Sequence, residues 1–310
     1  MYNFKKNAKL YIVELDATGA ALKQHSIEIY SDITASQTFD EQGYKRKTLH
    51  NLIDLHDYAV VNNANVANFS FTTPVLNITT VPIVLSLARE YSSGNVANFD
   101  IYIQSDNVIY KLAKCVIESL VFNIEMKSVL TISVSGTASK VTKFGNVGSV
   151  TIPVGTLGVF TPTPGTGVKY AYIDRMSVAI DGNTLDSIAS INMDLKNNIS
   201  WYSNNTVQEA VSGIVMYPNS YVLQGRTLSG SVTQFLTSTN VDTSVDTSTN
   251  SPIIIKLYTL ADSSATPTLE FNLPSTVFTR RLNFEELINR VYDFRLNSNT
   301  ITSTIKYKGA

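Results

Sequence analysis

Residues 188–202 alternate apolar and polar side chains with the two-residue period of a β-strand. Ile191, Met193 and Leu195 point one way, and Ser190, Asn192, Asp194 and Lys196 point the other. A second such run, 225–235, places Ser229, Ser231 and Thr233 on its polar face. Both halves of the chain read in the same order. An opening strand (9–15; 170–180) precedes an alternating strand (26–39; 188–202), then a third (67–76; 226–236), a further one (99–112; 253–260) and a closing pair (116–135; 269–296). Residue identity between the halves is low, so the duplication is one of pattern. Asn123–Lys127 and Asn192–Lys196 look alike but fall outside this register, and read as two strands meeting the same demand.

Residues 150–167 hold Pro and Gly at a density that stops helices and central strands, which divides the chain into 1–150, a linker at 151–167 and 168–310. Helix is scarce. Residues 81–91 have Pro82 near the start and Gly94 soon after the end, as a short helix does. Residues 282–290 read as a helical turn or as part of the closing strands. The Ser/Thr/Asp tract 238–250 reads as a mobile loop. Residues 40–68 read as a long connection carrying the main basic cluster, a length that is usually functional.

Composition narrows the function. Only 16% of the residues are charged and the net charge is −1, so the footprint of a tight duplex binder is absent. Cys115 is the only cysteine, which forbids an intrachain disulfide, and its apolar neighbours predict a buried, inert thiol. No signal-peptide run and no membrane-length apolar segment is present, so folding in a cytoplasm is expected. His50 and His56 flank Asp54, but the spacing fits no metal signature. With no nucleophile elbow, phosphate loop or dinucleotide fingerprint, neither a catalytic residue, a metal nor a cofactor is expected.

Several short motifs, taken in order, resemble the tail tube protein of long-tailed, non-contractile bacteriophages, most closely the T-five-like type with two fused tube domains. The most specific stretch is 188–236: a strand ending Asn-Asn-Ile-Ser-Trp-Tyr, a loop with Gly213-Ile-Val-Met-Tyr-Pro-Asn, then Leu-Ser-Gly-Ser-Val-Thr-Gln-Phe-Leu. The first half adds Asn7-Ala-Lys-Leu-Tyr-Ile-Val, Asp32-Ile-Thr-Ala-Ser-Gln-Thr, Gly43-Tyr-Lys-Arg-Lys, Asn68-Phe-Ser-Phe-Thr-Thr-Pro, and a run from Cys115 ending in Ile-Ser-Val-Ser-Gly136. The chain stops at Lys306-Tyr-Lys-Gly-Ala, so the immunoglobulin-like decoration of the T-five type is not carried over.

The resemblance implies a mainly β chain of two tandem sandwich or barrel domains, each with at most one short helix. It implies homotrimeric, pseudo-hexameric rings that stack into the hollow tube through which DNA is ejected. The virion tail, assembled in the host cytoplasm, is then the location. Implied partners are further copies, the tape measure protein and double-stranded DNA in the lumen, and the tail terminator and distal tail or baseplate proteins at the tube ends; no membrane is implied. Because phosphate contacts from Lys and Arg hold DNA tightly, a lumen wall of Ser, Thr and Asn with a slight acidic bias suits sliding. The lumen candidates are Asn123, Glu125, Ser190, Asn192, Asp194, Ser229, Ser231 and Thr233. The alternative is a face that meets bulk water on the outer sheet. Candidates for contact with the next ring are Tyr44, Lys45, Arg46, Lys47, His50 and His56, the alternative being a disordered tip. Competing functions are another ring-forming tail part, such as a tube initiator or distal tail protein, and a β-rich glycan-binding module or adhesin. The lone Trp201, set in an alternating strand, argues against the last.

Overall fold

The computed structural model describes residues 8–30, 33–46, 55–75, 80–88, 95–160, 170–203, 216–240, 250–259, 266–284, 286–297 and 305–307, with the backbone alone at 41–46, 55–62, 80–82 and 307. The chain opens with β1 (Lys9–Leu15), β2 (Ala21–Ile27), β3 (Thr34–Ser36), β4 (Phe39–Arg46), β5 (Leu55–Ala64) and β6 (Ala67–Pro74). Next come α1 (Thr80–Ala88), β7 (Phe99–Gln104), β8 (Val108–Glu125), β9 (Thr131–Ala138), β10 (Lys140–Asn146) and β11 (Val159–Phe160). The second half adds β12 (Ile173–Ile180), β13 (Asn183–Leu185), β14 (Ile188–Tyr202), β15 (Ser220–Phe235), β16 (Ser251–Thr259), β17 (Leu269–Asn283), β18 (Asn289–Leu296) and β19 (Ile305–Tyr307). The chain is thus mainly β with one short helix among the described residues, and all strands but the β4–β5 pair join one mixed hydrogen-bonded sheet.

The order of pairing repeats. In the first half the order is β2-β1-β7-β8-β10, and β8 also borders β3-β6-β9. In the second half it is β13-β12-β16-β17-β19, and β17 also borders β14-β15-β18. Each closing strand therefore serves two sets of neighbours. β8 changes neighbours at Lys114, whose φ of 53° bends the strand while its amide donates to Asp100 (3.0 Å). β17 changes them across Pro274, which has no amide to give to either ladder. Apolar side chains fill the space between the two sets, with Leu10, Ile12, Phe69, Phe99, Leu112 and Leu120 in one buried cluster. Cys115 sits in the same cluster; its Sγ donates to the Leu112 carbonyl and burial pushes its thiol pKa well up, so it stays an unreactive thiol.

Several sequence expectations change. The described residues of 40–68 are mostly strand rather than loop: β4 and β5 form an antiparallel ribbon that prolongs the β3–β6 pair, consistent with Tyr44, Tyr58, Val60 and Val61, which suit strands. The described residues of 282–290 hold no helix and belong in part to the closing strands, since β17 runs to Asn283 and β18 starts at Asn289. The strand expected at 26–39 is broken, with β2 ending at Ile27 and β3 starting at Thr34. The expected helix at 81–91 appears as α1, Thr80–Ala88. In the Pro/Gly-rich 150–160, β11 runs parallel to β2, and Gly155 (φ 77°) lies so close to the Leu22 backbone that a Cβ would meet it at 2.5 Å. The remainder of that linker, and 241–249 of the expected mobile loop, lie outside the described residues.

The two halves meet along β8 and β14, antiparallel from Ser119↔Lys196 to Glu125↔Ser190. Behind this seam Phe122 of β8 meets Phe271 of β17 edge-on at 5.4 Å, and neither ring is exposed. α1 ends over it. The carbonyl of Ala88, an orphan of the helix C-terminus, accepts from Asn197 Nδ2 (3.2 Å) and Arg226 Nη2 (2.5 Å), and Arg226 Nε donates to Asn197 Oδ1 (2.9 Å). Asn197 also donates to the Ile117 carbonyl at 2.9 Å. On the opposite side Trp201 Nε1 donates to Thr137 Oγ1 (2.8 Å), which donates to Glu118 Oε1 (2.7 Å). The indole is therefore engaged at the seam rather than presented as a stacking platform.

Close approach of strands rests on two glycines. Gly136 stands opposite Phe69, and Gly230 opposite Phe294, so each ring lies over a missing side chain. A Cβ on Gly230 would meet the Asn192 carbonyl oxygen at 2.3 Å and the Phe294 ring at 2.7 Å. Gly230→Ala is expected to cost about 1–3 kcal/mol through overpacking, read as a lower denaturant midpoint with unchanged m-value. Arg226→Met strips the charged donor from Ala88 and is expected to cost roughly 1.5–3 kcal/mol, with faster amide exchange in α1 than in β1. Burial raises the Glu118 pKa, with the Thr137 hydroxyl pulling the other way. A raised acid pKa in the fold means that stability falls as pH rises from the unfolded value through the folded one. Glu118→Gln should therefore match or exceed the parent at pH 7, and the difference should vanish below the usual carboxylate pKa. A variant less stable at pH 7 than the parent would overturn this.

Candidate functional site

β8 carries the sheet of the first half directly into that of the second. The strands β3-β6-β9-β8-β14-β15-β18-β17 follow one another without a gap, so one face runs across eight strands. Its inner side is the apolar core, to which Phe122, Ile124, Ile191, Met193, Leu228 and Val232 contribute. The residues between them point the other way and are partly or fully open to solvent.

All eight residues expected to share a face do so, in adjoining rows. Asn123 stands opposite Asn192, Asn192 opposite Ser231, and Ser231 opposite Asp293 of β18 and then Thr279 of β17. Glu125, Ser190 and Thr233 form the next row, which ends on Val291 and Arg281. Asp194 and Ser229 lie between Val121 and Arg295 in the third. The likeness between Asn123–Lys127 and Asn192–Lys196 thus belongs to strands that are direct neighbours. Toward the other edge the face continues as Ser119, Ser135, Ser70 and Thr34, one row of hydroxyls, with Ser133 and Thr72 beside it.

The face is balanced rather than acidic. Glu125, Asp194 and Asp293 are set against Lys196, Arg281 and Arg295. Asp194 accepts from Lys196 Nζ (2.8 Å) and from Ser119 Oγ (3.0 Å). Asp293 accepts from Arg281 through Nε (2.7 Å) and Nη2 (3.2 Å), a two-pronged pair across β17 and β18. Each carboxylate raises the pKa of its basic partner, chiefly by the hydrogen bond, so these cations keep their protons. The slight acidic bias expected from the sequence is corrected by the residues of β17 and β18.

Sequence reasoning missed Asp293, Arg295 and Arg281, as well as Ser133, Ser135, Ser70, Thr72 and Thr34. The signal was present: Asp293 and Arg295 alternate with Tyr292 and Phe294, and Ser133 and Ser135 with Ile132 and Val134. Of the residues expected to contact a further ring, Tyr44, Lys45 and Arg46 lie on β4 and His56 on β5, in the register Tyr44↔Tyr58, Lys45↔His56 and Arg46↔Leu55. Lys47 and His50 lie outside the described residues, as do the side chains of the other four.

No curated protein sequence matches the chain. A family model does, over its whole length, and it is that of the baseplate tube rather than the tail tube type whose motifs the sequence resembles. With residues 1–310 matched, the chain belongs to the bacteriophage baseplate tube protein family and is a structural component of the phage tail and baseplate.

Proposed function

We propose that the chain is a ring subunit of the tube at the baseplate end of a long, non-contractile tail, and that the eight-strand face lines the passage for DNA. The observation that carries this reading is the continuity of that face from β3 to β17, with its outer edges left unpaired at both ends among the described residues. Each repeat of the pairing order is one tube domain, 1–150 and 168–310, joined by 151–167. An open sheet whose two ends differ closes by adding copies head to tail, and a rotation that closes gives a ring. Three two-domain chains make the six-domain circle implied by the resemblance, and stacking extends it. The family match favours a baseplate ring over a subunit repeated along the tail. The tape measure protein and DNA are the lumen's transient occupants. Further tube and distal tail proteins cap the stack, the tail terminator closes its far end, and the β4–β5 ribbon reaches the adjoining ring.

The wall chemistry fits passage. Duplex DNA presents one negative charge per ~1.7 Å, and each bound Lys or Arg adds a contact that must be broken for the chain to move. Here Lys196 and Arg281 are held by Asp194 and Asp293, and hydroxyls and amides fill most of the remainder. Negative-stain microscopy of the purified protein should show closed rings or short hollow stacks; a monodisperse monomer under all conditions would count against the reading. Phage carrying Asp194→Lys with Ser231→Lys should assemble and adsorb normally but eject DNA several-fold more slowly, as measured by dye release. Unchanged ejection from intact tails would remove this face from the lumen.

A further inference from the structure

The seam between β8 and β14 exists inside each chain, and the repeated pairing order gives its counterpart between chains. Ser70 stands opposite Ser135 in the first half, and Ser231 opposite Asp293 in the second, which aligns β6 with β15 and β9 with β18. Carried one strand outward, Thr34 and Ser36 of β3 take the places of Asn192 and Asp194 of β14. On the other side Arg281 and Asn283 of β17 take the places of Val121 and Asn123 of β8. Within the chain, Asn123 stands opposite Asn192 and Val121 opposite Asp194.

Two edges, those of β3 and of the end of β17, have no partner among the described residues, and they show what the internal seam has and they lack. Phe122 and Ile124 are 0% and 1% exposed, whereas Leu282 on β17 and Phe284 just past its end, which hold the same places, are 46% and 78% exposed. Met193 is fully buried, whereas Ala35 in its place on β3 is exposed. Large apolar side chains at that level of exposure beside an unpaired strand edge mark a surface that a second strand covers.

We propose that β17 of one copy pairs antiparallel with β3 of a second copy of this chain, with Asn283 opposite Thr34 and Arg281 opposite Ser36. Leu282 and Phe284 then meet Ala35 and Ile33 on the core side, as Phe122 and Ile124 meet Met193 and Ile191 within the chain. The edges are different surfaces, so the contact is head to tail, and each added copy offers the next edge. This rests on the ring reading for its closure, and it adds to that reading a partner strand and a register.

Disulfide trapping tests it, because facing cross-strand residues lie within the Cα separation a disulfide spans, and residues two positions out of register do not. Cys115 is buried and does not compete. Under mild oxidation, a mixture of Asn283→Cys and Thr34→Cys chains should give a covalent dimer and nothing larger. The double variant should give a ladder that ends at the number of chains in the ring. Arg281→Cys paired with Thr34→Cys should cross-link at least ten-fold less. Phe284→Asp should abolish rings while leaving the chain's thermal midpoint unchanged. Rings visible by microscopy without the Asn283–Thr34 link, or with the Arg281–Thr34 link favoured, overturn the register and leave the ring reading intact. Absence of both rings and links overturns both.

Discussion

A strand edge in water must find partners for its backbone groups, and the way β8 finds them organises the molecule. Its first residues complete the sheet of β1 and β7, and its last residues complete that of β6 and β9. That still leaves one edge of Ser119–Glu125 open, and β14 fills it. Without this ladder the two halves would each present an open edge flanked by Phe122, Ile124 and Met193, which are now entirely covered. The polar face exists as one surface only because this ladder fixes the register of Asn123 against Asn192. A slip of one residue would turn Phe122 outward and bury an asparagine.

The seam is held by more than its ladder. On one side the Phe122–Phe271 contact excludes water. Beside it Asn197 and Arg226 satisfy the last carbonyl of α1, so a helix of the first half is anchored by two strands of the second. Phe39 takes the place of Asn197 in the first half, and its register partner is Ala64 where that of Asn197 is Arg226. The polar clasp therefore belongs to the junction inside the chain. In the proposed ring, a fused pair of repeats can carry such a difference, whereas six identical units would be bound to one seam chemistry throughout. On that reading, the two halves have a physical reason to share so few residues.

Periodicity made much of this legible. The strand at 188–202 has the bounds read from alternation alone, and the eight polar residues chosen from three strands' worth of pattern do share a face. What alternation does not encode is the partner. Asn123 and Asn192 resemble each other because they are neighbours in one wall, a relation between residues 69 apart in sequence that no local window contains. The ribbon of β4 and β5 was hidden for the opposite reason. Its charged residues, Lys45, Arg46 and Asp57, have the composition of a loop, and only pairing with each other makes them strands. Asp293 and Arg295 were obscured by Leu282–Arg290, where Leu, Phe and Ile at mixed spacings fit a helical turn as well as two strand ends.

The charges on the face show why balance, rather than scarcity, is the useful property. A face with no ionic groups would lose the cross-strand pair that ties β17 to β18 and the same-strand pair that steadies β14. Arg281 against Asp293 and Lys196 against Asp194 keep that contribution, and the field of each pair falls off far faster than that of a lone ion. Beyond a Debye length of about 8 Å at physiological salt, little of either pair remains for a phosphate backbone to feel. In the proposed ring, cohesion of the wall and indifference to its cargo then come from the same pairs. Replacing only the acid of such a pair does double damage: it loosens a strand and leaves a cation facing the passage.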